Sequence, residues 1–298
     1  MRIFVTGATG YVGGSVAAAL RRAGHEVWGL TRSREKARRL AADEIHPVLG
    51  SLREPAGFLP AAERCSILIH AAAEDGTDRM EVDRAAVEAL LSISDLGPRP
   101  KTLVYTSGTW VYGDTGGRLA DETTPSNPLE RYAGRPEVED LVRRSTGVRG
   151  VVLRPGCLYG GRGGMTGDWF QGASEGALRV VGDGRNRWAM VHADDAAEGY
   201  VRVVERALSG EVFNLTDRSH ATVAEMAAAA GRAAGYEGEI RYLPVAEAAK
   251  TMGDFAACLA VDQRVDSRKA VDLLGWRPRR GSFVGQASAC YESWKASR

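Results

Sequence analysis

Short apolar runs alternate with longer helical patterns through the first half of the chain. The apolar runs lie near residues 2–6, 26–30, 45–49, 66–70, 102–106 and 149–154. This alternation is typical of a parallel sheet with helices on both faces. We therefore predict an α/β fold with a doubly wound parallel sheet, in which a ligand lies at the carboxyl ends of the strands.

A glycine-rich loop follows the first of these runs. The strand RIFVT leads into GATGYVG, then into a helical stretch at residues 15–23 and a second strand, HEVWGL. Gly7 permits a tight turn, Gly10 lets the backbone approach a diphosphate, and Gly13 lets the helix lie close to the strand. The free N–H groups of the helix N-terminus would face the phosphates. This order predicts a dinucleotide-binding unit, with a plain helix-entry loop as the alternative.

The end of the second strand bears on which dinucleotide binds. An NAD-type cofactor is usually held there by a carboxylate on its ribose hydroxyls. Thr31 stands at that position, and Arg32 and Arg34 follow it. Because a guanidinium suits a 2′-phosphate, we predict NADP(H) as the preferred cofactor and NAD(H) as the other candidate. Alternatively, the two arginines simply coat the solvated start of a helix.

Composition and charge narrow the class of protein. The chain has 298 residues, of which 44% are hydrophobic, and a formal net charge of +1, which gives nucleic-acid binding no support. Its four cysteines and five histidines show no metal-ligand spacing, so we expect no metal and reduced thiols. Apolar runs are too short to span a membrane, and glycines interrupt the N-terminal one. We therefore expect a cytoplasmic protein without a signal peptide.

The motif TGATGYVG resembles that of the extended (atypical) short-chain dehydrogenases/reductases, in the NAD-dependent epimerase/dehydratase branch. Similar landmarks follow in order along almost the whole chain: ILIHAAA at 67–73, LVYTS at 103–107, VYG at 111–113, LRPG at 153–156, GDG at 182–184, VHADD at 191–195 and LGWRP at 274–278. The resemblance implies a Rossmann domain over 1–155 plus about 193–215. It also implies a smaller substrate lobe over 156–192 and 216–298. Related proteins often form homodimers through the helices that lie here near 80–92 and 136–146, but the amphipathic pattern of these helices fits a monomer equally well.

The resemblance also implies hydride transfer to or from a nicotinamide, with a tyrosine as general acid/base. The matching tyrosine is Tyr132, but Pro136 stands where the family has a lysine that lowers the phenol pKa from about 10. Pro136 is typical of a helix start, so we predict that Tyr132 lies in the loop before that helix. Arg135 is the candidate for the missing positive charge. Tyr132 either works as the acid/base or packs its ring at the cofactor edge.

Other family positions are also altered. The usual Ser/Thr position falls on Gly108, so Thr109 is our first candidate for the hydroxyl and Ser107 the second. Asp83 replaces a frequent asparagine, and Cys157 replaces an asparagine that touches substrate phosphate in sugar-nucleotide members. The predicted catalytic residues are Tyr132, Thr109, Ser107 and Arg135. The predicted cofactor-binding residues are Gly7, Thr9, Gly10, Tyr11, Val12, Gly13, Thr31, Arg32, Ser51, Leu52, Ala71, Ala72, Tyr132 and Pro155.

Further side chains lie in segments that the resemblance places near the substrate. Three tryptophans would line an apolar site or pack the lobe: Trp110, Trp169 and Trp188. Three arginines would grip an anion or lie on the surface: Arg162, Arg185 and Arg187. The glycine-rich stretch at 160–167 is a candidate lid. For His192 and the neighbouring Asp194 and Asp195 we favour a structural role over a proton relay.

Three functions remain open from the sequence. The first is an NADP(H)-dependent oxidoreductase acting on a carbonyl or hydroxyl of a small-molecule substrate. The second is a redox-neutral nucleotide-sugar epimerase or dehydratase with tightly bound NAD(P). The third is a non-catalytic NADP-binding sensor.

Overall fold

The computed structural model describes residues 1–93, 100–206 and 208–298. Its strands in chain order are β1 Arg2–Thr6, β2 Glu26–Thr31, β3 His46–Leu49, β4 Ile67–His70, β5 Thr102–Thr106, β6 Leu119–Ala120, β7 Arg149–Pro155, β8 Cys157–Gly160, β9 Gly163–Gly164, β10 Arg179–Val181, β11 Met190–His192, β12 Glu211–Leu215, β13 Arg241–Leu243 and β14 Arg264–Val265.

The α-helices in chain order are α1 Tyr11–Arg22, α2 Arg34–Ala42, α3 Leu59–Glu63, α4 Arg79–Leu91, α5 Arg135–Arg143, α6 Gly167–Ser174, α7 Ala193–Arg206, α8 Val223–Ala233, α9 Val245–Met252, α10 Phe255–Leu259 and α11 Phe283–Ala296. Short 3₁₀ turns cover Pro55–Gly57, Thr109–Tyr112 and Glu130–Tyr132, and a π turn covers Ala270–Leu274. Among the described residues, no helix is long and apolar enough to cross a membrane.

Seven strands form a parallel central sheet in the order β12-β7-β5-β4-β1-β2-β3. The six apolar runs of the sequence are six of these strands, so the predicted doubly wound α/β fold is confirmed. β1 pairs with β2 on one side and with β4 on the other, with Thr6 opposite His70. The chain reverses its direction of winding between β1 and β4. A crevice therefore opens at their carboxyl ends, where such sheets bind ligands.

Apolar side chains fill both faces of this sheet. On one face α1 and α7 pack together, and Val16, Leu20 and Tyr200 are buried there. On the other face α4 and α5 contribute to a core that contains Phe4 and Val138. The strands are thus buried on both sides, which explains why their sequences are continuous apolar runs and not alternating ones.

A second core lies among the elements after β7. Trp169 and Trp188 stack at 5.2 Å between ring centroids, and Phe170 and Phe283 pack around them. Two elements within residues 193–215 belong to the central sheet region and not to this second core, because α7 packs on α1 and β12 pairs with β7. The division into a Rossmann domain and a substrate lobe stays a prediction.

Two helix boundaries differ from those predicted. The first helix begins at Tyr11, not at residue 15, and α5 ends at Arg143, short of residue 146. Gly13 and Gly14 lie in the first turn of α1, where glycine is a poor helix former. The turn nevertheless needs glycine, because a Cβ at Gly13 would collide with the carbonyl oxygen of Gly7. Packing overrides propensity at this position.

Candidate active site

The glycine loop joins β1 to α1 at the crevice. Gly7 has a φ of +71°, and a Cβ there would lie 2.6 Å from the carbonyl oxygen of Ala71 in the loop after β4. Gly10 caps α1 without a side-chain hydrogen bond, and the first turn of α1 carries no acidic residue. The N–H groups and the positive end of the helix dipole are therefore available to an anion. This cradle fits the diphosphate of a dinucleotide.

Two cavities that share the wall Ala71–Ala72–Ala73 extend from this loop. One, of about 200 Å³, is lined by predicted cofactor residues: Gly7, Thr9, Gly10, Thr31, Arg32, Leu52, Ala71 and Ala72. The other, of about 360 Å³, is lined by a second group of predicted residues: Tyr11, Val12, Ser107, Thr109, Tyr132, Arg135 and Pro155. The predicted cofactor and catalytic residues thus lie along one groove. We call these the adenosine-end and substrate-end cavities.

Two predicted cofactor residues line neither cavity. Gly13 lies beneath the loop, against Gly7. Ser51 uses its hydroxyl to accept the backbone N–H of Arg53 at 3.3 Å. Both shape the loops beside the groove.

The adenosine-end cavity holds the predicted Arg32 together with two charged residues that the sequence analysis did not place there, Lys36 and Glu74. Arg32 forms an ion pair with Glu74 at 3.2 Å, and Lys36 lines the same cavity. Arg34, which is exposed at the start of α2, does not line it. Glu74 reaches this position from the loop after β4, far along the chain from β2, so a reading of β2 alone could not find it.

Tyr132 lies in the 3₁₀ turn before α5, as predicted from Pro136. The guanidinium of Arg135 lies 5.3 Å from the centroid of its ring, and Trp110 packs at 5.4 Å. Burial raises the pKa of Tyr132 above its ordinary value, and the lowering effects of Arg135 and Arg131 do not offset it. The phenol is therefore neutral at physiological pH, suited to donate a proton and not to remove one.

Arg135 rests on a buried polar cluster beneath the groove. Its Nη1 donates to the carbonyl of Thr106 at 3.3 Å, while its Nε is buried with no partner among the described residues. Beside it, the Asp83 carboxylate accepts from Tyr105 at 2.6 Å and contacts His70 Nε2 at 3.1 Å. Burial acts to raise the pKa of Asp83, but these bonds and the Arg135 charge outweigh it and lower the pKa. The negative charge of Asp83 therefore stabilises the Arg135 guanidinium electrostatically beneath the substrate-end cavity.

The two candidate hydroxyl residues, Ser107 and Thr109, are both buried in the wall of the substrate-end cavity. The Oγ of Ser107 is enclosed and has no hydrogen-bond partner in the described parts of the chain, which is costly for a hydroxyl. The carbonyl of Thr109 accepts from Gln263 at 2.9 Å. The choice between the two hydroxyls stays a prediction.

The remaining side chains singled out in the sequence divide between the groove and the framework. Trp110 and Cys157 line the substrate-end cavity, whereas Trp169 and Trp188 belong to the second core. Burial raises the pKa of Cys157 to about 12, so its thiol is not a nucleophile at neutral pH. Arg162 donates to the carbonyl of Gly10 at 3.2 Å and so lies beside the glycine loop.

Two arginines and the acidic pair lie away from the groove. Arg185 is exposed and lines neither cavity, and Arg187 pairs with Asp262 at 3.5 Å. Asp195 accepts the backbone N–H groups of residues 279 and 280, both at 3.0 Å. His192 Nδ1 accepts the backbone N–H of Asp194 at 3.1 Å. The Asp195 contacts join α7 to the segment before α11, and the His192 contact shapes the start of α7, so both support the structural role favoured from the sequence.

The glycine-rich stretch at 160–167 forms a tight structure. Gly160 and Gly163 pair across the β8–β9 hairpin, and Tyr11 donates its hydroxyl to the carbonyl of Gly160 at 2.6 Å. A Cβ at Gly164 would lie 2.6 Å from the Tyr11 ring. The hairpin therefore covers the start of α1, and whether it moves as a lid stays a prediction.

The sheet order and the glycine loop define an α/β protein of the extended short-chain dehydrogenase/reductase class. A model of the NAD dependent epimerase/dehydratase family matches residues 3–216. The chain therefore belongs to the NAD-dependent epimerase/dehydratase family, whose members bind NAD(P).

Individual relatives cover nearly the whole chain. An uncharacterized protein, C2A9.02 of Schizosaccharomyces pombe, is 31% identical over 95% of this chain and 97% of its own length. A 4-hydroxy-2-methyl-3-oxo-4-farnesyl-3,4-dihydroquinoline-1-oxide ketoreductase of Stigmatella aurantiaca is 30% identical over 92% of this chain and 87% of its own.

Solved structures share the fold. The dTDP-glucose 4,6-dehydratase DesIV of Streptomyces venezuelae, with NAD bound, superposes with a TM-score of 0.83 at 22% identity, covering 100% of this chain and 98% of that one. The relatives also include a UDP-glucose 4-epimerase of Mycolicibacterium smegmatis. The solved structures also include a human epimerase family protein, SDR39U1, with NADPH. The family therefore spans reductases, epimerases and dehydratases.

Proposed function

We propose that this protein is an NADP(H)-dependent oxidoreductase that reduces a carbonyl group of a small, uncharged substrate. The observation that carries the proposal is the neutral phenol of Tyr132 in a largely apolar cavity. Trp110, Met165 and Cys157 contribute to its walls. A carbonyl reductase needs a proton donor in such a place, because the oxygen gains negative charge as the carbon is reduced.

The nicotinamide supplies the hydride when the cofactor is bound. Tyr132 donates its proton to the carbonyl oxygen, so that the C=O double bond is reduced to a C–O single bond while one C–H and one O–H bond form. Ser107 donates a hydrogen bond to the same oxygen and orients it. The positive charge of Arg135 favours the phenolate left on Tyr132, which regains a proton from solvent.

The cofactor preference rests on the adenosine end of the groove. Thr31 offers no carboxylate to the ribose, and Arg32 and Lys36 offer positive charge to a 2′-phosphate. The ketoreductase relative supports the reduction of a ketone. A redox-neutral epimerase is the second candidate, supported by the UDP-glucose 4-epimerase relative. Against it, Arg185 and Arg187 do not reach the groove to bind a nucleotide diphosphate.

We also propose a cytoplasmic location and a homodimer. All four cysteines are free and buried, which fits a reducing compartment. The dimer would use α4 and α5, whose outer faces carry the ion pair between Arg84 and Glu137 at 3.1 Å. Light scattering of the purified protein tests the dimer.

The test of function begins with the nucleotide. Any bound nucleotide is extracted and identified, and the stripped protein is titrated with NADPH and NADH. Consumption of NADPH is then followed with a panel of aryl ketones and other apolar carbonyls. Exchangeable NADPH and turnover of a ketone support the proposal. A stoichiometric cofactor that survives purification, with turnover of nucleotide sugars only, would replace the proposal by the epimerase.

Tyr132→Phe tests the acid itself. We expect a loss of about 10²-fold or more in turnover with cofactor affinity retained. The matched control is Tyr242→Phe, because Tyr242 is exposed on β13 and lines neither cavity. Tight NADPH binding with no turnover of any substrate would favour the non-catalytic sensor.

A further inference from the structure

The side chain of Glu74 is the least exposed charge in the Arg32–Glu74–Arg53 cluster at the adenosine end. It is only 10% exposed, whereas Arg32 is 72% and Arg53 47% exposed. Its two carboxylate oxygens accept from different arginines, from Arg32 at 3.2 Å and from Arg53 at 2.9 Å. Arg53 is itself held by Asp78 through two hydrogen bonds, at 2.6 and 3.0 Å.

The ion pairs hold the Glu74 carboxylate from the side away from Arg32. Asp78 anchors Arg53, and Arg53 in turn binds Glu74 at the cavity wall. Arg32 makes one contact with Glu74 and is otherwise mostly in solvent. The cavity therefore presents an anchored negative charge next to Arg32.

The two nucleotide types would meet these charges differently. A ribose with free hydroxyls can donate hydrogen bonds to a carboxylate, and Thr31 leaves the usual position for that carboxylate vacant. A 2′-phosphate carries negative charge and needs Arg32 and Lys36, but Glu74 competes for Arg32 and repels the phosphate. The carboxylate of Glu74, in the loop after β4, would therefore favour the nucleotide with free ribose hydroxyls over the one with a 2′-phosphate.

We propose that Glu74 sets the cofactor preference of this protein by withholding Arg32 from the 2′-phosphate of NADP(H) and by offering a carboxylate to the ribose of NAD(H). The proposal rests on the dinucleotide site of the proposed function. It implies that the natural preference for the phosphorylated cofactor is smaller than Arg32 and Lys36 alone would give.

The experiment uses nucleotide fragments, so it needs no substrate. The stripped full-length protein and its Glu74→Gln variant are titrated calorimetrically with 2′,5′-ADP and with 5′-ADP. We expect Glu74→Gln to strengthen binding of 2′,5′-ADP roughly threefold to tenfold and to weaken binding of 5′-ADP, whose ribose loses the carboxylate. In an Arg32→Ala background, Glu74→Gln should recover much less of this gain, because the arginine it would release is absent.

Glu35→Gln is the matched control for the loss of one negative charge. Glu35 lies nearby in the first turn of α2 but pairs with Arg39 in solvent, so the affinity ratio should not change. Equal changes for both fragments in Glu74→Gln, or the same gain in Glu35→Gln, would overturn the role of Glu74. Failure of the unsubstituted protein to bind either fragment would instead overturn the dinucleotide site, and the role of Glu74 with it.

Discussion

Replacement of Arg135 by methionine tests whether its positive charge assists Tyr132 in the proposed reaction. The guanidinium of Arg135 lies 5.3 Å from the centre of the Tyr132 ring. At an effective dielectric constant of about 20, a charge at this distance stabilises a full phenolate by about 3 kcal/mol. If half of that charge has developed in the transition state, the loss is about 1.5 kcal/mol, or roughly tenfold in kcat. Methionine keeps much of the side-chain volume and removes the charge.

The pH profile of the same variant gives a second readout. Tyr132 must be protonated to donate, so reduction slows as pH rises through its pKa. Burial already holds that pKa above its ordinary value, and removal of the Arg135 charge raises it further. We therefore expect the alkaline fall in kcat to move to higher pH in Arg135→Met, while the plateau value drops. Arg135→Lys should restore part of the plateau.

Arg131 supplies the control for this experiment. Its guanidinium lies 5.9 Å from the same ring and also lowers the pKa of Tyr132, but Asp254 pairs with it at 2.6 Å and offsets part of its field. Arg131→Met should therefore lower kcat by less than Arg135→Met does. Equal losses in the two variants, or an unchanged plateau and alkaline limb in Arg135→Met, would refute the electrostatic role of Arg135. Both are measured from NADPH consumption with the ketone found in the panel.

Two further substitutions test the framework of the groove. Gly13→Ala should abolish dinucleotide binding or folding, because its Cβ collides with the Gly7 carbonyl. The control is Gly57→Ala, whose Cβ meets no atom within 4 Å, so that neither binding nor folding should change. Calorimetric titration measures the binding, and thermal melting measures the folding. Asp83→Asn should cost roughly 1–3 kcal/mol of unfolding free energy near neutral pH. Because folding lowers the pKa of Asp83, its carboxylate stabilises the fold at pH values above about 3.9, the pKa of an aspartate in an unfolded chain. The difference in unfolding free energy between the two proteins, measured by chemical denaturation, should therefore shrink as the pH falls below about 4. A difference that persists undiminished in acid would contradict the role of that carboxylate.

The fold could be predicted because its signals are local. The apolar runs of β1 and β4 are continuous since both faces of the sheet are covered, and the steric need for Gly7 and Gly13 appears directly as glycine in the sequence. The boundaries of α1 could not be predicted in the same way. The glycines that open this helix have low helix propensity, and only their contact with the loop explains why they are there.

The charges of the site were harder to predict than its backbone. Arg32 was expected at the adenosine end because it directly follows β2, but Glu74 approaches from another loop and was missed. Such details depend on which loops meet at the crevice, and a single sequence does not show that directly.

The position of Arg135 follows from where Tyr132 lies in the chain. When an acid/base tyrosine lies on an α-helix, the residue four positions later shares its face, which suits a lysine at that spacing. Here Tyr132 ends a 3₁₀ turn, and Arg135 begins α5 three positions later. The guanidinium of Arg135 lies 5.3 Å from the centroid of the Tyr132 ring. Pro136 occupies the fourth position and fits the first turn of a helix, so the positive charge beside the phenol comes from the residue before the proline.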